Sequence, residues 1–182
     1  MNHPEILLLP IMMFADYFLT ILGAIKIEQG YSKHFKTEHY ELNPQWQQDV
    51  KEIKWFNIKH IIVTILVTIG LGYIFESFYL PYALIKMLIG CILVLYAMII
   101  GRHITNLLIF SYVNRNPGHI SGEVNMTHEF VLYLSLFQTV MVLVPIILIA
   151  IFSNSYFSYG GAIGITLFIL VNYQWIRKAN RQ

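Results

Sequence analysis

Five long apolar stretches divide this chain, at about 6–27, 58–79, 82–103, 130–152 and 157–176. A bilayer core about 30 Å thick takes roughly 20 residues of helix at 1.5 Å per residue, so each stretch predicts a span. The third keeps its apolar character to Val113, about 48 Å of helix. It therefore tilts steeply or projects past the membrane beyond Arg102. Pro81 marks a tight turn, Asn116-Pro117-Gly118 a second one, and Pro145 predicts a kink in the fourth stretch. In the first long loop, 28–57, Asn43-Pro44 reads as a helix start. Trp46, Val50, Ile53 and Phe56 follow at helical spacing between polar residues. This predicts an amphipathic helix, lying on the membrane surface or packed on the protein's own inner face. The expected fold is all-α: a single membrane domain over 1–182, a polytopic integral membrane bundle of five transmembrane helices plus one surface helix.

Charge orients the bundle. Lys26, Lys33, Lys36, Lys51, Lys54 and Lys59 fall in or beside the first loop, Arg102 and Arg115 at the third (114–129), and Arg177, Lys178 and Arg181 at the end. The second and fourth loops have no basic residue, and Lys86 is the one outlier. Basic loops stay cytoplasmic, which puts the N-terminus outside and the C-terminus inside. No basic region precedes the first stretch, so it reads as a retained span rather than a cleaved signal. Tyr73, Phe78, Tyr79, Tyr82, Tyr156 and Tyr159 suit an outer aromatic belt, and Trp46, Trp55, Tyr173 and Trp175 an inner one. The implied location is the cell membrane of a prokaryote, with the lipid bilayer as first partner.

Composition agrees: 57% hydrophobic and 12% charged, against about 25% charged in soluble domains. A net charge of +2 gives no reason to expect nucleic acid as a partner. The single cysteine, Cys91, excludes an intrachain disulfide or a cysteine zinc site.

The polar residues inside the apolar stretches carry the chemistry. Asp16 lies near the middle of the first span, where a carboxylate needs a partner or water. Thr20 and Gly23 share its face. These residues suit a proton or ion relay, a substrate contact, or an interior anchor. His60, Thr64, Thr68, Gly72 and Glu76 recur every four residues along the second span, a polar path or, by preference, a surface for close helix packing. Arg102 has His103 beside it and Asn106 on its face. Arg102 reads first as a snorkelling anchor, and otherwise as a holder of phosphate or carboxylate. Glu76 and Lys86 flank Pro81 at equal distance and are expected to pair. Matching span starts leaves Asp16 roughly 10 Å deeper than Lys86 and roughly 14 Å outward of Arg102. Gly160-Gly161-Ala162-Ile163-Gly164 suits close approach of a helix, within the chain or between subunits.

The cytoplasmic loops gather histidines and acids: His34, Glu38, His39 and Glu41 in one, His119, Glu123, His128 and Glu129 in the other. Such groups can hold a divalent metal or act as acid and base, although no spacing among them is diagnostic. There is no nucleotide-binding glycine loop, paired-cysteine motif, G-x-S-x-G elbow or aspartate-rich prenyl-diphosphate motif.

Ala15-Asp16-Tyr17, Thr20, Gly23 and Glu41-Leu42-Asn43-Pro44 give the first 60 or so residues a resemblance to uncharacterised small polytopic membrane proteins of archaea and bacteria. The resemblance implies membrane embedding. From the polar residues within the spans, the expected function is a non-catalytic transport, channel-like or accessory membrane subunit, forming a homo-oligomer or joining other membrane subunits, with a polar interior around Asp16. The competing reading is a membrane enzyme with a His/Glu site at the cytoplasmic face.

Overall fold

The structure is a computed structural model and describes residues 3–37 and 46–179. Helices satisfy their own backbone polar groups, which suits long apolar segments, and the five stretches fold in this way. They form α1 (Leu8–Gln29, led in by a 3₁₀ turn Pro4–Leu7), α3 (Ile58–Ser77), α4 (Tyr82–Arg115), α5 (His128–Ser153) and α6 (Tyr156–Ala179). Each of the five is long and apolar enough to cross a membrane. Their outward faces carry exposed side chains such as Leu66, Ile69, Phe137 and Met141, which a soluble protein would bury.

The 34-residue α4 stands at the centre. It packs against α1 on one side and α6 on the other; α5 covers α6, and α3 leans on α1. Small residues set the α4–α6 distance. A Cβ on Gly160 would stand 1.9 Å from the Met87 carbonyl oxygen, and one on Gly90 2.0 Å from that of Phe157. The glycine pattern of α6 thus meets a helix of the same chain. Between α1 and α4 the contact is apolar: Ile6, Leu9 and Met13 mesh with Ile85, Ile89 and Leu93.

Two short strands join the long loops at one end of the bundle. β1 (Phe35–Thr37) pairs in parallel with β2 (Val124–Met126), with Phe35 opposite Val124 and Thr37 opposite Met126. Lys36 Nζ reaches Glu123 Oε2 at 2.6 Å.

Two expectations change. The helix expected around Trp46–Phe56 is only α2 (Gln47–Lys51) among the described residues; Asn43-Pro44 lies outside them. Trp46, Val50 and Ile53 pack on Tyr17 and Ile21, so the short helix lies on the protein itself. Ile53 turns the chain with φ 49°, an uncommon conformation for a β-branched residue. Asn57 then caps α3, accepting from the backbone N–H groups of Lys59 and His60 and donating to Asp49 at 2.6 Å. The second change concerns Lys86, which pairs with Glu5 rather than with Glu76. The 3₁₀ turn before α1 brings Glu5 to the level of Lys86, and a side chain on the neighbouring packed helix is closer than one across the hairpin.

Candidate functional site

The position of Asp16 follows from how α1 and α4 are offset. Bonded pairs across the two helices stand 81 residues apart at Glu5–Lys86, 83 at Thr20–His103 and 88 at Lys26–Asn114. Matching span starts at Ile6 and Tyr82 gives a separation of 76. The α4 helix is thus displaced away from the basic loops by five residues or more, roughly 8 Å or more. That displacement brings Arg102 and His103 to the depth of Asp16.

His103 is the partner that the carboxylate needs. Its Nε2 lies 3.0 Å from Asp16 Oδ1 and 3.3 Å from Thr20 Oγ1. Thr20 donates its own hydroxyl hydrogen to the Asp16 carbonyl at 2.9 Å. Both neighbours of Nε2 are thus oxygens with lone pairs to offer, so the contacts suit an Nε2–H donor. The other ring nitrogen, Nδ1, is buried without a hydrogen-bond partner among the described residues.

A second polar line fixes Arg102. Its Nη1 donates to Ser135 Oγ of α5 at 2.9 Å. Ser135 donates to Asn172 Oδ1 of α6 at 3.2 Å, and Asn172 donates to the Phe168 carbonyl at 3.0 Å. Three helices are bridged by hydrogen bonds in a low-dielectric setting, where satisfied polar networks hold side chains in place.

Asp16, Thr20, His103, Arg102 and Ser135 line one cavity of about 450 Å³, with Asn172 behind its wall. Asp16, Thr20, Arg102, His103, Asn106 and Gln138 supply its polar surface. Tyr96, Phe110, Phe168 and Trp175 supply aromatic faces. His60 closes one edge, stacked on Tyr17 with ring centroids 4.7 Å apart and meeting Trp46 edge-on at 5.6 Å. Tyr17 donates its hydroxyl to the Lys54 carbonyl at 2.6 Å, which ties the wall to the first loop. Nearer that loop, burial pushes the Tyr31 hydroxyl above its ordinary pKa.

The other candidates separate. Thr64 is fully buried and Thr68 half-buried, so this part of the α3 stripe faces the packed side without lining the cavity. Glu76 is exposed near the far end of α3. His119 meets the Tyr112 hydroxyl at 2.9 Å on the surface. Glu123 is held below the usual carboxylate range by Lys36, also on the surface. Neither lines the cavity. Glu38, His39 and Glu41 lie outside the described residues. Among the described residues no three histidine, cysteine or carboxylate groups are arranged to hold a metal ion.

The pattern reading passed over Ser135, Gln138, Thr139 and Asn172. Thr139 and Asn172 are fully buried, and Ser135 nearly so. Their signal was present: Ser135, Gln138 and Thr139 share a helical face within an apolar run, and Asn172 interrupts another. Comparison of the chain with family models, curated proteins and solved structures gives no match.

Proposed function

We propose that this is an integral membrane protein of transport or accessory type, with its N-terminus outside and the β1–β2 end in the cytoplasm. It holds a small molecule in the cavity between its helices, with the Asp16–His103 pair as the polar, proton-exchanging contact. The observation that carries this reading is the pair itself. A carboxylate and an imidazole from two apolar helices meet beside a cavity, although intramembrane ionisable groups are costly. An imidazole nitrogen can both take up and release a proton, which suits such a pair to proton transfer.

Reconstitution tests it. Vesicles loaded with a pH-sensitive dye and given a membrane potential report proton entry. The wild-type protein raises the rate over empty vesicles, and Asp16→Asn lowers it at least fivefold. Equal rates in a correctly folded Asp16→Asn protein would end the proton assignment.

A second reading has one observation of its own. An imidazole held by a carboxylate, on a residue that lines a cavity, is also an arrangement that general bases use. That reading places the base at His103, within the helices, rather than in the cytoplasmic loops.

A further inference from the structure

The cavity sits in one half of the bundle. Its lining begins at Met13 on α1, Tyr96 on α4 and Phe168 on α6, and it ends at Val63 on α3 and Gln138 on α5. All of these lie toward the basic loops. On the other side of them the bundle is closed. Ile6 and Leu9 mesh with Ile85, Ile89 and Leu93. Gly90 and Gly160 bring the α4 and α6 backbones into contact. From Tyr96 back to Tyr82, α4 runs for roughly 21 Å.

At the basic-loop end the cover is thin. Among the described residues it consists of Thr37 and Met126, the last pair of the β1–β2 ladder, with Tyr31, Trp46 and Val50 around them. The ladder spans the mouth: β1 follows α1 through the turn Tyr31–Lys33, and β2 leads into α5. In the row α3–α1–α4–α6–α5, α1 and α5 are not neighbours. The strands therefore bridge elements that the helices leave apart.

The bond between the strands is slight. Each has three residues, and a lone two-stranded pairing is marginal in water. Parallel pairing is also slightly weaker per residue than antiparallel. Lys36 and Glu123 are both 55% exposed, and a surface ion pair contributes little. Val124 donates to the His34 carbonyl at 2.7 Å, but its side chain is exposed, and water can replace such a bond at small net cost. The β1 strand itself is anchored. Phe35 stacks on Tyr31 with ring centroids 4.7 Å apart, and Tyr31 packs on buried Phe110 of α4 at 4.3 Å. Separation would thus move β2 away from a fixed β1.

We propose that the β1–β2 ladder is a lid, and that the cavity exchanges with water at the basic-loop end when β2 parts from β1. The Lys36–Glu123 pair is its latch, and the outer half of the bundle stays shut. This rests on the membrane reading above, which sets lipid against the sides, including the apolar gap between α3 and α5 marked by Val63 and Leu134. It gives the same cavity a route and a side.

The test is the reach of a charged thiol reagent. In a Cys91→Ala background, Asn106→Cys places the target among the polar residues of the cavity. Nanodiscs give the reagent both aqueous faces and cover the sides with lipid. A methanethiosulfonate bearing a quaternary ammonium should label position 106, read by peptide mass. Adding Thr37→Cys and Met126→Cys sets two thiols opposite each other in the ladder, within reach of a disulfide. Once it forms, labelling at position 106 should slow at least tenfold, and reduction should restore it. Without those two changes, Lys36→Glu sets like charges across the latch and should speed labelling at least threefold. Combining Lys36→Glu with Glu123→Lys should return the original rate. Both residues are exposed, so the exchange leaves the helix packing intact.

A disulfide that leaves the labelling rate unchanged overturns the lid, and so does a failure to label while the ladder is free. An unchanged rate in Lys36→Glu overturns the latch. If the disulfide does not slow labelling while Asp16→Asn still lowers proton flux, this inference alone fails. If the disulfide blocks labelling and Asp16→Asn leaves proton flux unchanged, the lid stands and the proton assignment fails.

Discussion

At the scale of single residues, the site depends on which groups accept and which donate. Thr20 holds Nε2 of His103 from one side and Asp16 from the other. Thr20→Val keeps the shape and removes one acceptor. We expect a loss of about 0.5–1.5 kcal/mol, read from unfolding in mixed detergent, and a changed ring environment in the NMR spectrum of labelled histidine. Gly160 shows the steric counterpart. Gly160→Ala sets a methyl group 1.9 Å from a backbone oxygen, so α6 must move off α4. We expect roughly 1–3 kcal/mol of destabilisation, measured by thermal melting in detergent, while Gly72→Ala, with open space around it, changes little. Asp16 was legible in the sequence because a carboxylate there had to be explained. Its partner was not: the answer turned on an offset between two helices, and packing sets that offset. Lys86 shows the same limit. Equal spacing about Pro81 made Glu76 the obvious choice, but a residue on the adjacent packed helix was nearer.

At the scale of elements, the apolar stretches were legible because a membrane helix leaves a long uninterrupted signal. The loops were less so. β1 and β2 are three residues each, too short for a periodic pattern, and their pairing joins positions far apart in sequence. The reach of α2 was overestimated because four apolar residues at helical spacing also suit a short turn folded back on the bundle. That turn is held by charge. Lys54 keeps the Asp49 carboxyl below its ordinary pKa of 3.8, with help from Asn57. A depressed carboxylate stabilises the fold above its unfolded pKa and loses that contribution as pH falls through the folded value. The clasp should therefore hold at neutral pH and release only below about pH 3.8. Trp46 emission should shift to the red on acidification at that point, and Asp49→Asn should show the released spectrum already at neutral pH.

At the scale of the whole molecule, the alternating basic loops and the structure bear on the same geometry. The first and third loops meet at one end through the strand ladder. The second and fourth, near Leu80 and Asn154, close tight connections between α3 and α4 and between α5 and α6. If the charge pattern orients the bundle, cysteines placed at these ends will label from opposite sides. In a Cys91→Ala background, Asn154→Cys should react with an impermeant maleimide on intact cells, and Ser121→Cys only after lysis. The reverse result would invert the topology.

The separation between Asp16 and His103 also bears on how the protein is made. At about 5–20 residues per second, the 83 residues between Thr20 and His103 take roughly 4 to 17 s to synthesise. On the proposed membrane reading, α1 enters the bilayer in that interval with an aspartate whose partner does not yet exist. Such a residue at a helix centre costs about 2.5–3.5 kcal/mol on insertion scales. On the same reading the first helix is a provisional insertion, completed when α4 arrives beside it. Chains halted between α3 and α4 should leave α1 loosely held and open to membrane proteases. Chains halted after Arg115 should protect it, and Asp16→Leu should remove the difference.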